Sequence, residues 1–99
     1  MRFLYFGAQW CNACHDGLPA ARQTAASLGI PLEEIDIDTE GGQERADALG
    51  ARALPALLLL DGDRVRFRLM GAMISPENAG QLASVTLADL EALAAARPF

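Results

Sequence analysis

Runs of hydrophobic and polar residues divide this chain into predicted strands and helices. Residues 2–6 are aromatic-rich and apolar on both faces, which is typical of a strand in the middle of a sheet. After a loop over residues 7–10, a helix is predicted from about residue 11 to residue 28. Gly29 is expected to end that helix, and Pro19 falls inside it and is expected to kink it.

The middle of the chain alternates between extended and helical patterns. Residues 32–37 form a predicted strand in which two isoleucines share one face and two acidic residues share the other. Residues 39–50 predict a short, weakly amphipathic helix. Two further strands, over residues 57–60 and 65–69, flank the sequence DGD at residues 61–63, which is a strong hairpin signal.

Two helical pieces are predicted in the last quarter of the chain. Ser75 followed by Pro76 is a good pair for a helix cap and first turn. Thr86, with an acidic residue three positions on, resembles the capping box of a second piece. The apolar face of the first piece is expected to comprise Ala79, Leu82 and Val85.

Length and composition favour one compact domain over residues 1–99. The chain is 52% hydrophobic and 21% charged, which favours a packed core over disorder. Its net charge of −5 disfavours nucleic acid and anionic membranes as partners, because both require a cationic surface. Only Arg64, Arg66 and Arg68 cluster, and their period of two predicts one solvated strand face.

The start of the chain bears on where the protein acts. The predicted first strand begins within two residues of Met1, so no targeting segment is visible, and no apolar run approaches the ~18 residues that a membrane span needs. We therefore expect a soluble, cytoplasmic monomer. In the reducing cytosol a cysteine pair is more often catalytic or metal-binding than structural.

The two cysteines, Cys11 and Cys14, lie in the sequence WCNAC directly after the first predicted strand. A disulfide between them would close so short a loop that it would stabilise the fold little. A strand that passes into a helix at a C-x-x-C pair is typical of thiol–disulfide exchange. Cys11 is the predicted attacking thiol, because free backbone N–H groups and the helix dipole favour its thiolate. Cys14, one turn further on and less exposed, is the predicted resolving thiol.

Further motifs accompany WCNAC along the whole chain. They are Pro19, IDIDT at residues 35–39, Pro55 within ARALPALLLLDGD, and Gly71 followed by alanine. In this order and spacing the chain resembles the thioredoxin-fold family, of the thioredoxin or glutaredoxin type. The resemblance implies an α/β fold with a four-stranded mixed β-sheet and helices on both faces, lacking the N-terminal strand and helix of full thioredoxins. It also implies an enzyme without a bound cofactor, which reduces protein disulfides with electrons from a thiol or flavin reductase.

Several residues depart from the pattern of thioredoxins. Tyr5 occupies the position of the buried acid that thioredoxins carry six residues before the first active-site cysteine, and Glu34 stands where a lysine is usual. Asn12 and Ala13 replace Gly-Pro between the cysteines, and residues 73–85 are longer than the usual connection. These positions are therefore interpreted from their own chemistry.

Two side chains are candidates for proton transfer or for tuning the cysteines. Cys14 must lose its proton during resolution, and Glu34 is a candidate acceptor because a carboxylate on an apolar strand is costly unless it is solvated or used. The alternative is that Glu34 simply reaches water at the end of the sheet. His15 is four residues from Cys11 on the same helix side, where its partial charge would favour the Cys11 thiolate. The alternative is an exposed helix residue with little effect.

The predicted substrate-binding residues surround the cysteines. Trp10 offers an apolar platform, although a Trp beside a strand is often simply core. Pro55, if its peptide bond is cis, presents the backbone of Leu54 to an extended substrate, as in the family; otherwise it is an ordinary turn proline. The full set is Trp10, Asn12, Ala13, Leu54, Pro55 and Gly71.

Three interpretations from other classes remain open. The sequence CNACH fits the covalent haem attachment pattern, with His15 as one iron ligand and Met70 or Met73 as the other. The second is a metal site with Cys11, Cys14 and His15 as candidate ligands; because one chain offers at most three, a zinc or an iron–sulfur cluster would be shared across a dimer. A redox-silent interaction module is the third, although such a module needs no cysteine pair.

Overall fold

The computed structural model describes residues 1–95, which form four strands and three α-helices in the order β-α-β-α-β-β-α. The strands are β1 (Arg2–Gly7), β2 (Leu32–Asp36), β3 (Ala56–Asp61) and β4 (Arg64–Met70). The α-helices are α1 (Asn12–Leu28), α2 (Gly42–Leu49) and α3 (Pro76–Ala95), and a short 3-10 turn, Gly71–Met73, joins β4 to α3. Among these residues, no helix combines the length and the apolar composition needed to cross a bilayer.

The strands form one mixed sheet in the order β2-β1-β3-β4. β1 and β2 are parallel, whereas β3 is antiparallel to both β1 and β4. The prediction that the first strand lies inside the sheet is confirmed, since residues 3–6 of β1 are all buried. The predicted α/β architecture, with its four-stranded mixed sheet, is also confirmed.

Each face of the sheet carries its own hydrophobic core. One face packs under α1 and α3, where it buries Phe3, Tyr5, Ala21, Ala25, Leu57, Leu59, Leu69, Ile74, Ala79 and Ala83. The other face packs under α2, where it buries Leu4, Phe6, Ile35, Ala46, Ala51, Ala56, Leu58 and Leu60. The strict alternation of side chains along β1 and β3 therefore fills both layers, as expected for a central strand that is apolar on both faces.

A β-bulge in β4 overturns the prediction that the three clustered arginines share one face. Leu59 pairs with Phe67 and the next residue of β3, Leu60, pairs with Val65, so Arg66 is the extra residue. Val65 packs on the α2 side, whereas Phe67 packs on the α1 side. Arg64 and Arg68 consequently lie on opposite faces of the sheet, and Arg68 donates to the carbonyl of Leu49 at the end of α2.

The C-terminal segment is one helix rather than the two predicted pieces. Ser75 caps it as expected, because its hydroxyl accepts the N–H of Asn78 at 3.0 Å. Thr86 does not start a second helix: its hydroxyl donates to the carbonyl of Leu82 within α3 at 2.8 Å. The predicted buried face is also wrong in part. Ala79 and Ala83 are buried, whereas Leu82 and Val85 are 38% and 58% exposed.

The topology brings three segments to one edge of the sheet. β1 and β2 are parallel, so their carboxyl ends meet, and the antiparallel β3 starts beside them at Ala56. The loop after β1 carries Cys11, and Pro55 directly precedes β3. Residues that are far apart in the sequence therefore converge around the first turn of α1.

Candidate functional site

The two cysteines form a disulfide at the N-terminus of α1, with their Cα atoms 5.2 Å apart. Cys11 is the N-cap residue, and its Sγ accepts the backbone N–H of Cys14 at 3.2 Å. Cys11 is half-buried, whereas Cys14 is only 4% exposed. One sulfur is thus open to a reaction partner and the other is covered, which suits an attacking thiol and a resolving thiol.

Gly7 at the end of β1 allows the helix to approach the strand at Cys14. A Cβ added at Gly7 would lie 3.2 Å from the Cβ and 3.5 Å from the Sγ of Cys14. The absence of a side chain at Gly7 therefore makes room for the inner cysteine. Only the position of this glycine, between an apolar strand and a cysteine pair, signals that role in the sequence.

Tyr5, which the sequence showed only as a departure from the thioredoxin pattern, lies against Cys14 in the structure. It is 3% exposed, and its hydroxyl donates to the backbone carbonyl of Cys14 at 2.6 Å. Burial, together with the negative charges of Asp16 and Glu34, raises the pKa of Tyr5 to about 12. The phenol is thus a neutral hydrogen-bond donor at physiological pH, in the position where thioredoxins carry an acid.

The raised pKa of Tyr5 predicts a loss of stability in alkali. The phenol ionises near 10 in the unfolded chain and near 12 in the folded protein, so its contribution is present below pH 10 and disappears as the pH rises to 12. The expected loss is roughly 2 to 3 kcal/mol, measured by denaturant unfolding of the oxidised protein across this range.

The chain offers a clean background for this measurement. It contains one tyrosine, so tyrosinate absorbance follows Tyr5 alone. It contains no lysine, a side chain that would titrate in the same range of pH. Tyr5→Phe is the control, and its stability is expected to stay level over the same range. A wild-type tyrosine that ionises near pH 10, or a stability that does not fall, would contradict the prediction.

A cleft beside Cys14, between α1, β1 and β2, brings together Cys14 and the two predicted proton-transfer candidates, His15 and Glu34. Both carboxylate oxygens of Glu34 accept hydrogen bonds from Arg22, at 3.0 and 2.8 Å, and the Glu34 side chain is 43% exposed. His15 is exposed, and its Nε2 donates to the carbonyl of Gln9 at 2.8 Å. The cleft is lined by Tyr5, Gly7, Ala8, Gln9, Cys14, His15, Leu18, Glu34, Ile35 and Asp36.

Trp10 lies on the surface beside Cys11 rather than in the core, since 68% of it is exposed. Its indole Nε1 donates to the carboxylate of Asp38 at 2.7 Å, which ties the loop after β1 to the segment after β2. Sequence analysis did not identify Asp38 as a partner of Trp10. The two residues are 28 positions apart and meet only because β1 and β2 are parallel neighbours.

The remaining predicted site residues are Asn12, Ala13, Leu54, Pro55 and Gly71. The Leu54–Pro55 peptide bond is cis, and the carbonyl of Pro55 accepts the N–H of Gly71 at 2.8 Å. Gly71 has a φ of +59°, a conformation that favours glycine.

Two grooves are lined by these residues. Ala13 and Gly71 line one groove with Asp16 and Ile74, and Leu54 lines another with Ile37 and Ala46. Asn12 and Ala13 are exposed between the cysteines.

The two methionines suggested as iron ligands lie in different surroundings. Met70 packs against the core on the α2 side of the sheet, and Met73 is 58% exposed in the turn after β4. Within residues 1–95, no group of three or more His, Cys, Asp or Glu side chains is placed to hold a metal ion.

The curated proteins that this chain resembles are thioredoxins, in agreement with the disulfide at the start of α1. No protein-family model matches the chain. It is 27% identical over 71 residues to thioredoxin 1 of Chlorobaculum tepidum, a match that covers 72% of this chain and 70% of that protein. It is 34% identical over 61 residues to thioredoxin of Bacillus subtilis, covering 61% of this chain and 59% of that protein.

A solved structure matches more of this chain than either sequence relative does. Thioredoxin 1 of the thermophilic eubacterium Thermosipho africanus superposes with a TM-score of 0.77, and the match covers 92% of this chain and 99% of that one. Sequence identity in this match is 20%, so the likeness concerns the fold. The four-stranded mixed sheet with its three α-helices is the thioredoxin fold.

Proposed function

Because the chain is a thioredoxin-fold thiol–disulfide oxidoreductase with a W-C-x-x-C site, we propose that it reduces disulfides of other proteins by dithiol exchange. The single observation that carries the proposal is the unequal exposure of the two sulfur-bearing residues at the N-terminus of α1. The Cys11 thiolate attacks a substrate disulfide, one substrate sulfur leaves as a thiolate, and a mixed disulfide forms. The Cys14 thiolate then attacks Cys11 Sγ, the mixed bond breaks, and the second substrate thiolate leaves.

We place the substrate on the exposed surface around Cys11. Trp10 supplies an apolar platform, and Asn12 and Ala13 border the outer sulfur. The backbone at Leu54 and Pro55, next to the start of β3, is the proposed partner of an extended substrate segment. Gly71, held against Pro55 by its N–H, completes the rim. The oxidised protein receives electrons from a thiol or flavin reductase, and the proposed compartment is the cytoplasm.

The cleft beside Cys14 is the proposed exit for its proton. Glu34 is the proposed acceptor, because its carboxylate lines this cleft together with Cys14. Transfer requires Arg22 to release one carboxylate oxygen or a water to bridge the gap. His15, on the same cleft and near the first turn, is the proposed modulator of the Cys11 thiolate.

Single-turnover reduction of a model protein disulfide by the reduced protein tests this function. One substrate disulfide is expected to disappear per chain, and the Cys11–Cys14 disulfide is expected to form at the same rate. Replacing the carboxylate in Glu34→Gln is expected to slow the reaction by roughly tenfold or more and to change its pH profile.

Glu33→Gln is the matched control, because Glu33 is the neighbouring carboxylate on β2 and is held by Arg45 and Arg2 in the same way. Its rate is expected to equal that of the unchanged protein. Failure of the reduced protein to act on any protein disulfide would overturn the proposed function. An unchanged rate and pH profile in Glu34→Gln would remove only the role of Glu34.

A further inference from the structure

One hydroxyl group links β1 to α1 near the residue that precedes β3. Tyr5 belongs to β1, and its hydroxyl donates to the carbonyl of Cys14 on α1. A Cβ added at Gly17, one turn further along α1, would lie 2.8 Å from the same hydroxyl and 3.5 Å from Cγ of Pro55. The hydroxyl therefore sits where α1 passes between β1 and the residue that precedes β3.

The first turns of α1 need support from outside the helix. Pro19 lies inside α1 and has no N–H, so the carbonyl of His15, four residues earlier, lacks its helical donor. The segment that carries Cys14 is thus separated from the rest of α1 by a weakened turn. The hydrogen bond from Tyr5 ties this segment directly to the central strand of the sheet.

Resolution depends on the placement of Cys14 more than the first attack does. The Cys14 sulfur must approach Cys11 Sγ in line with the bond that breaks, and a small displacement slows such a reaction strongly. Cys11 attacks an external substrate that can adjust its own approach. A defect in the position of Cys14 should therefore slow the second step and leave the first unchanged.

We propose that Tyr5 is a positioning residue for resolution: its hydroxyl holds the Cys14 carbonyl and so keeps the Cys14 sulfur in line with Cys11. This inference rests on the proposed dithiol reaction. Tyr5 neither accepts nor donates the proton that moves, because the phenol stays neutral in the working range of pH. The charged groups that act on this phenol are Asp16 from α1 and Glu34 from β2, and neither takes part in the hydrogen bond.

An aromatic disulfide whose thiol product absorbs visible light separates the two steps. Attack by Cys11 releases the first coloured thiol, and resolution by Cys14 releases the second. In Tyr5→Phe, which removes only the hydroxyl, the first release is expected at the unchanged rate and the second at a rate lower by roughly tenfold. The pH midpoint of the second release should stay where it is in the unchanged protein.

Thr24→Val is the matched control. Thr24 is 4% exposed, and its hydroxyl donates to the carbonyl of Ala20 on the same helix at 2.9 Å. This variant therefore also loses one hydrogen bond from a buried side chain to a backbone carbonyl, although that bond is only partly buried. Both of its release rates are expected to equal those of the unchanged protein. A general loss of helix stability would slow the second release in both variants, whereas positioning slows it only in Tyr5→Phe.

Two results would overturn the inference. One is a second release in Tyr5→Phe as fast as in the unchanged protein; the other is a shifted pH midpoint with the same limiting rate. If Tyr5→Phe does not fold, Gly17→Ala provides the same test, because its added methyl displaces the hydroxyl and should again slow only the second release. A protein that reacts with the aromatic disulfide but reduces no protein disulfide would overturn the proposed function instead.

Discussion

Replacing Cys11 with serine is expected to lower disulfide reduction by about 10³-fold or more, to the rate of the uncatalysed reaction. A serine hydroxyl cannot form the mixed disulfide, and the Cys14 sulfur is too well covered by the helix and by β1 to attack a protein substrate. The measurement is steady-state reduction of a model protein disulfide with a thiol reductant as electron source.

Ala26→Ser is a suitable control for this loss, since it introduces the same side chain at an exposed position of the same helix. Its rate is expected to match that of the unchanged protein. Fluorescence of the sole tryptophan, Trp10, checks in the same samples that the site remains folded. A Cys11→Ser protein that kept a rate comparable to the unchanged protein would exclude the whole interpretation of the cysteine pair.

Replacing Cys14 with serine is expected to convert the turnover reaction into a single capture event. Cys11 still attacks, but no internal thiol resolves the product, so about one equivalent of mixed disulfide should accumulate and persist at least about 10²-fold longer than in the unchanged protein. Mass spectrometry of the intact protein after reaction with a model disulfide measures both the yield and the lifetime.

Addition of dithiothreitol should release the captured substrate, which shows that the bond is a disulfide. The Cys11→Ser protein, treated in parallel, should capture nothing. Sustained turnover of Cys14→Ser at the original rate without added thiol would contradict the proposed order of attack and resolution. The same variant, used on a cell extract, would identify the natural protein substrates.

Much of the fold follows from local patterns in the sequence. The buried first strand, the helix that starts at the cysteine pair, and the hairpin around DGD all have strong short-range signals, and the structure confirms each of them. Errors occur where two local signals compete. Thr86 has the sequence of a helix cap, but its hydroxyl bonds inside α3, because the flanking residues favour helix on both sides.

The face to which a side chain points is less predictable than the element it belongs to. A period of two assigns Arg64, Arg66 and Arg68 to one face, but a single bulged residue reverses the alternation within β4. In α3, alanines rather than larger residues face the sheet layer, because α1 packs close beside them. Neither outcome has a signal within its own segment of the chain.

For this protein, the sequence by itself indicated the chemistry: two sulfurs one helical turn apart, at the point where a buried strand becomes a helix, favour thiol–disulfide exchange over the haem, metal and redox-silent interpretations. Only the tertiary structure decided what surrounds those sulfurs. The hydrogen bond from Tyr5 to Cys14, the pairing of Glu34 with Arg22, and the bond from Trp10 to Asp38 join residues 9, 12 and 28 positions apart. Such contacts depend on strand order and on the packing of α1 against the sheet, whereas a cysteine motif depends on neighbours along the chain.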